Sequence, residues 1–310
     1  MGGAATRDAF GEAIVRVGDD ERVVVLTGDL RDSTRTEKFA EKFPERFFDV
    51  GIAESNMLGV AAGLALSGKV PWASSFAAFV TGRFETVRVS VAYQEANVRI
   101  VGTHSGIGVG DDGYSQMALE DIASLRALPN VSIVNPCDAV ETERAVEYLL
   151  DHVGPAYLRL TRQKVDDVNG DGYRFDFGKA VLLRDGRDVA IFGTGATVQE
   201  ALKAADSLDR DGISARVLNA HTLKPFDEEA VLHAAADCRA LVTVEDHSVT
   251  GGLGSAVAEV LASGDGHAPV IVLGARDFGE SGPSEELYEK HGISGDRVAE
   301  RTRQFLDKLG

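Results

Sequence analysis

Cysteine is nearly absent: Cys137 and Cys238 are the two in 310 residues. Two thiols build neither a disulfide framework nor a metal cage, so both are expected to be small buried hydrophobes. No apolar run reaches the ~18 residues that a membrane span needs. The first residues, MGGAATRDAF, lack a charged-then-apolar targeting pattern, so a cytoplasmic protein is expected. Basic residues are in deficit, 32 against 49 acidic, which leaves a net charge of −17. That excess argues against nucleic acid and anionic membranes as partners. Arg clearly outnumbers Lys and the acids are spread along the chain. Two readings of this surface stand side by side, salt adaptation and ordinary acidity. Internal repeats and low-complexity tracts are also missing.

What is present is an α/β pattern. Hydrophobic content of 44% and 34 glycines suit a chain with ample core, and 310 residues suggest two domains. Continuous apolar runs at Val23–Leu26, Phe47–Val50, Val70–Ser74, Val98–Val101, Val131–Val134 and Ala156–Leu160 read as six strands. Such runs are expected where both faces of a sheet are covered. Helical stretches lie between most of them, starting with an amphipathic helix over Arg7–Val17. The pattern implies a mainly parallel sheet. It lapses over Arg162–Gly178, which is polar and Asp-rich and reads as an interdomain connection. A second α/β run follows, with strands at Val189–Phe192, Ala215–Leu218, Leu241–Val244 and Val270–Leu273. The fold class is therefore α/β, two doubly wound domains with mainly parallel sheets.

Polar groups collect at the carboxyl ends of the first domain's strands, the edge where open α/β sheets place functional groups. Asp29 follows the first strand, Glu54 the second, Ser75 and Phe76 the third, and His104 the fourth. Glu54 opens a small-residue apolar helix. It is either a functional acid or a first-turn carboxylate favoured by the helix dipole, worth about 0.3–1 kcal/mol. His104 heads a glycine-rich loop, Gly102–Gly113. It reads as an acid/base or hydroxyl-binding group, or as a locally bonded loop histidine. Asp112 reads as a polyol ligand or a turn residue. Gly108 to Gly113 spells GxGxxG by letter. No apolar helix follows directly, however, and two aspartates would face a pyrophosphate. Phe76 and Phe79 stand three apart, as a platform for a planar ring or as core. Arg162, just past a strand end, suits a phosphate or carboxylate, or else a surface ion pair. Asn169–Gly172 contains GDG, but no Asn stands about thirty residues on, and it reads as a linker turn. His221 and His247 are expected to be turn or interface residues of the second domain.

FFDVGIAESNMLGVAAGLAL, SSFAAFVTGRF, THSGIGVGDDGYSQMALEDIASLRALPNVSIVNPCD and LRLTRQ together resemble the pyrimidine-binding domain of transketolase. VAIFGTGATVQEAL, NAHTLKPFD and VEDHSVTGGLGSAVAEVL resemble the C-terminal domain of the same family. The resemblance covers essentially the whole chain. It implies a pyrimidine-binding domain over 1–163, a linker over 164–182 and a C-terminal domain over 183–310. It also implies one subunit of a split transketolase, with its partner carrying the GDG…N domain and the Mg or Ca that binds diphosphate. An α2β2 assembly with self-association is the expected form, and the glycine-bearing helix Gly59–Ala65 would allow close approach there or against its own sheet.

The resemblance assigns roles residue by residue. Glu54 matches the acid that bonds the aminopyrimidine nitrogen of thiamine diphosphate and promotes its imino tautomer. Phe76 and Phe79 match aromatics around that ring. His104 and Asp112 match groups that contact sugar hydroxyls, and Arg162 matches a phosphate-holding arginine. Arg35 lies near another. Gln116 stands where full-length members carry histidine near the substrate, and Gly82 where they often carry an aromatic. The implied reaction is transfer of a two-carbon ketol unit between sugar phosphates. The alternatives are a deoxyxylulose-phosphate-synthase-like enzyme, a 2-oxo acid dehydrogenase β-like enzyme, and a non-catalytic binding subunit.

Overall fold

The computed structural model describes residues 3–170, 172–264 and 268–310. Six strands of the first half form a parallel sheet: β1 (Val23–Thr27), β2 (Phe47–Asp49), β3 (Val70–Phe76), β4 (Arg99–Thr103), β5 (Ser132–Val134) and β6 (Ala156–Arg159). The second half supplies β7 (Val181–Arg184), β8 (Val189–Gly193), β9 (Ala215–Asn219), β10 (Thr222–Lys224), β11 (Ala240–Ser248) and β12 (Val270–Ala275). The first sheet runs β10-β5-β6-β4-β3-β1-β2 and the second β12-β11-β8-β9-β7. Every residue of β1, β3 and β4 is buried, because helices cover both faces. On one face the helix Thr6–Val17 packs Phe10 against Trp72 of β3, ring centroids 6.0 Å apart. Parallel pairing sends the carboxyl ends of β1, β2, β3 and β4 to one edge.

The helix Glu54–Leu66 turns Met57, Leu58, Ala61 and Ala62 inward. Burying a side chain such as Leu58 stabilises the fold by about 1.5–3 kcal/mol. Its other face is open: added Cβ atoms at Gly59 and Gly63 would meet nothing within 4 Å. Arg99 is fully buried in β4 without a carboxylate partner among the described residues. It donates instead to the carbonyls of Leu149, His152 and Gly154 at the carboxyl end of the helix Ala139–Asp151. Those carbonyls carry the negative end of the helix dipole, which suits a guanidinium. Burial lowers its pKa to about 10. Between Leu160 and Ala180 the described residues form no helix or strand, apart from one bridge from Lys164 to Ala5.

Three sequence expectations change. The strand at Phe47 is not buried: β2 pairs only with β1, and Phe48 is 40% exposed at the sheet edge. Two further strands exist. β7 pairs antiparallel with β9, and β10 leaves the second half of the chain to pair antiparallel with β5. The first sheet is thus completed by the second half. His247 lies inside β11 rather than after it, and is fully buried. The GDG turn is present as a Tyr173-to-Gly170 backbone bond of 2.9 Å, while Asp171 itself lies outside the described residues. Cys137 and Cys238 are both buried, with burial raising their thiols. Among the described residues no helix is long and apolar enough to cross a membrane.

Candidate active site

At the carboxyl edge of the first sheet, Glu54 begins its helix and is 4% exposed. Ser75, near the end of β3, donates from Oγ to Glu54 Oε1 at 3.0 Å. The other carboxylate oxygen makes no hydrogen bond among the described residues. Gly28, after β1, keeps the space beside it open: a Cβ there would stand 3.3 Å from Glu54 Oε1. Phe76, the last residue of β3, stacks on Phe79 with centroids 5.3 Å apart. The pair arises because the chain passes from strand into the short helix Ala77–Thr81, not because both residues are helical.

His104 follows β4 in a left-handed conformation, φ 55°, and its ring stacks on Phe76 at 3.7 Å. Arg7 Nη1 lies 3.0 Å from His104 Nε2. A guanidinium only donates, so Nε2 accepts and the proton sits on Nδ1, which donates to Thr103 Oγ1 at 2.9 Å. Burial, aided by the charges of Arg7, Arg162 and Arg35, lowers the imidazole to about 3. The ring is neutral at neutral pH. The geometry therefore offers an acceptor for a hydroxyl rather than a protonated acid.

Arg7 was not singled out from the sequence. It sits in the first turn of an amphipathic helix, where an arginine looks like ordinary surface. In the fold that turn abuts His104. Arg7 Nη1 also donates to Ser33 O at 3.1 Å, while its buried Nε has no hydrogen-bond partner among the described residues. Burial and the neighbouring Arg35 and Arg162 charges lower its pKa. Arg35, φ 62°, donates from Nε to Asp8 Oδ1 at 2.6 Å. Arg162 Nε lies 3.8 Å from Asp112 Oδ2, and its Nη1 donates to Val109 O at 2.8 Å. Three arginines thus gather beside the imidazole with two carboxylates between them. Such a group is built to take an anion, because planar guanidinium forks match its oxygens. Gln116 lies on the next turn, Tyr114–Gln116, and its side chain makes no hydrogen bond to this cluster among the described residues. Gly82 caps the helix Ala77–Thr81, and a Cβ there would lie 2.7 Å from Ala78 O.

The second half of the chain reaches this edge too. The loop after His104 forms 3₁₀ turns over Ile107–Asp112, broken at Gly110 with φ 80°. Asp246, in β11, accepts from Ile107 N at 2.6 Å and Gly108 N at 3.1 Å. Beneath it lies a buried charged network. Arg159 pairs with Asp121 at 2.8 Å, the Tyr157 hydroxyl donates to Asp121 at 2.6 Å, and His247 Nε2 lies 3.7 Å from Asp121. Burial lowers His247 to about 4 and raises Glu245 to about 7, although Glu245 accepts from Leu253 N and Gly254 N. His221 is buried between β9 and β10, bonded to Thr222 Oγ1 at 2.8 Å and packed on Phe175. Both histidines lie where the two halves of the chain meet, and the buried His221 Nε2 has no hydrogen-bond partner among the described residues.

A buried acid, an aromatic pair and a cluster of three arginines lie at one parallel-sheet edge, an arrangement that suits a planar ring and an anionic group. The comparisons with known proteins identify the family. The family model described as the transketolase pyrimidine-binding domain matches residues 2–167, and that of the transketolase C-terminal domain matches residues 178–298. The chain belongs to the transketolase family. It is 44% identical over 307 residues to a putative transketolase C-terminal section of Methanocaldococcus jannaschii, covering 97% of this chain and 96% of that one. It is 41% identical over 305 residues to a 6-deoxy-6-sulfo-D-fructose transketolase subunit of a Clostridium species, covering 97% and 94%. Human transketolase is 37% identical over 98% of this chain, but that match spans only 49% of the human protein. A solved split-gene transketolase, described as an inactive β4 tetramer, superposes with a TM-score of 0.90 at 44% identity over 99% of both chains.

The family implies thiamine diphosphate, and the residues present fit its pyrimidine end. Glu54 Oε1, bonded to Ser75, borders the Gly28 space, its other oxygen makes no hydrogen bond among the described residues, and Phe76 with Phe79 gives an apolar wall. Among the described residues no group of three or more His, Cys, Asp or Glu side chains is placed to hold a metal ion.

Proposed function

We propose that this chain is the C-terminal subunit of a split transketolase, a glycolaldehyde transferase that moves a two-carbon ketol unit between sugar phosphates. It occupies 1–163 as pyrimidine-binding domain and 183–310 as C-terminal domain, joined by 164–182. It acts in the cytoplasm with an N-terminal subunit that binds diphosphate through Mg or Ca, in an α2β2 assembly. Support for two chains comes from relatives of matching length that are named as a section or a subunit. The single observation that carries the reading is Glu54, buried yet with one oxygen unengaged, at the sheet edge beside two phenylalanines.

Glu54 holds and exchanges a proton with the ring nitrogen of the cofactor's pyrimidine. The cofactor supplies the carbon nucleophile when bound. Phe76 and Phe79 exclude water from that ring and fix its plane. His104 accepts from a sugar hydroxyl at Nε2, in place of the bond it now receives from Arg7. Asp112 and Gln116 bond further hydroxyls. Arg7, Arg35 and Arg162 hold the terminal anion of the substrate, with charge-assisted bonds worth about 1.5–3 kcal/mol each.

The test is co-expression with an N-terminal partner and an assay with xylulose 5-phosphate and ribose 5-phosphate. Transfer should need both chains and added thiamine diphosphate. Transfer by neither chain nor the pair would refute the proposal. A second reading concerns the donor. One relative's name specifies a sulfonated fructose, and three arginines would take a sulfonate as readily as a phosphate. Assay of 6-deoxy-6-sulfofructose against fructose 6-phosphate separates the two.

A further inference from the structure

From His104 to Gly113 the chain forms only short 3₁₀ turns, and its glycines leave the backbone permissive. Gly106, Gly110 and Gly113 adopt φ of 79°, 80° and 77°, conformations that glycine visits freely and other residues avoid. Such a segment must be fixed from outside if Asp112 is to present its carboxylate reproducibly. Its ends are tied within the first half, where Ser105 N bonds Leu160 O, Gly106 N bonds Ala118 O and Arg162 bonds Val109 O, whereas the bonds to Ile107 and Gly108 come from the second half of the chain. Asp246 Oδ1 accepts from Ile107 N at 2.6 Å, and Oδ2 accepts from Gly108 N at 3.1 Å. Tyr288 donates its hydroxyl to the same Oδ2 at 2.7 Å, and Gln163 Nε2 donates to the Tyr288 oxygen at 2.8 Å. Ser284 Oγ donates to Gly108 O at 2.9 Å. Arg159 Nη2 donates to the backbone oxygen of Asp246 at 2.9 Å, which ties β11 to β6.

The contact is close as well as bonded. A Cβ on Gly106 would lie 2.3 Å from Asp246 Oδ2, and one on Gly108 would lie 1.9 Å from Gln163 Nε2. The loop and its support are therefore fitted to each other, and Asp246 is buried within that fit, 3% exposed.

We infer that Asp246, with Tyr288 and Gln163 behind it, is a positioning residue: it fixes the loop that presents His104 and Asp112 and thereby sets how tightly the sugar is held. The C-terminal half then takes part in substrate binding without touching substrate. This inference rests on the functional reading above.

Two substitutions test it. Asp246→Asn keeps the shape but puts an NH₂ where one carboxylate oxygen now accepts, so a donor faces a donor at Ile107 or at Gly108. Tyr288→Phe keeps the ring and deletes only the hydroxyl that orients the carboxylate. On the full chain alone, hydrogen–deuterium exchange over residues 104–113 should speed up by about tenfold or more in Asp246→Asn and by less in Tyr288→Phe, while exchange in β1 and β3 stays unchanged. In the reconstituted two-subunit enzyme, KM for the ketose phosphate should rise by about tenfold or more, kcat should fall by less than about threefold, and thiamine diphosphate affinity should hold. A merely structural role would lower active-site concentration, and so kcat, at unchanged KM.

Unchanged exchange at 104–113 in both variants would overturn the inference. So would faster exchange with KM unchanged in an active enzyme. If the wild-type pair transfers no ketol unit, the functional reading is what fails. The exchange result then still decides whether Asp246 fixes the loop.

Discussion

His104 should stay neutral well into the acid range, and its replacement should change how the protein's stability depends on pH. The folded imidazole titrates at about 3 against an ordinary 6.5, first because it is buried and then because three arginines face it. The folded value is depressed, so between those two values the unfolded chain binds the extra proton. His104 therefore costs no stability above pH 6.5, and costs progressively more as pH falls from 6.5 towards 3. At about pH 5.5 the loss is RT ln(1 + 10), about 1.4 kcal/mol. Asn is the replacement to use, because it tolerates the left-handed backbone at φ 55°. Its fixed effect on stability does not matter; the pH dependence does. Urea unfolding of wild type and His104→Asn at about pH 7.5 and 5.5 should show their stability difference change by about 1.4 kcal/mol, with wild type losing ground in acid. Histidine-labelled NMR checks the cause directly: the His104 ring signals should not titrate above pH 5. A His104 midpoint near 6.5, with parallel stability curves, would refute both the burial argument and the assignment of Nε2 as an acceptor from Arg7.

Arg7→Ala removes a guanidinium whose buried Nε has no hydrogen-bond partner among the described residues, so KM for an anionic sugar should rise by about 10- to 100-fold with a smaller change in kcat, and an uncharged analogue should lose far less affinity. Asp121→Ala leaves Arg159 charged and 2% exposed, and should lower unfolding free energy by about 3–5 kcal/mol, measured by denaturant unfolding. Gly59→Ala should stabilise the isolated chain by about 0.5–1 kcal/mol, because the helix gains a better former in open space. If the open face of Glu54–Leu66 meets another chain, the same substitution should weaken that assembly in sedimentation.

The strands of the first sheet were readable because burial on both faces leaves continuous apolar runs, as in VVVLT of β1. The exposure of Phe48 was not, since nothing local distinguishes an edge strand from a central one. β7 and β10 escaped for a related reason. VLLR and TLK are short, partly exposed and next to charged or proline residues, and only their partners make them strands. The edge that carries Glu54, Ser75, Phe76 and His104 followed from strand order, because parallel strands deliver their carboxyl ends together. Arg7 and Asp246 did not follow. Each reaches the site from an element distant in sequence, one through a helix turn and the other through the second sheet. His247 was misplaced because VEDHS reads as a strand end, whereas β11 continues through it under cover of the first sheet.

The whole account turns on Glu54, and the most direct test is Glu54→Gln in the reconstituted two-subunit enzyme. The amide keeps the size and can still bond Ser75 Oγ, but it cannot hold and return a proton to a ring nitrogen. Turnover of xylulose 5-phosphate with ribose 5-phosphate should fall by about 10²–10⁴-fold, with melting temperature and subunit association intact. A variant that turns over within a few-fold of wild type would contradict the claim that this carboxylate drives the cofactor.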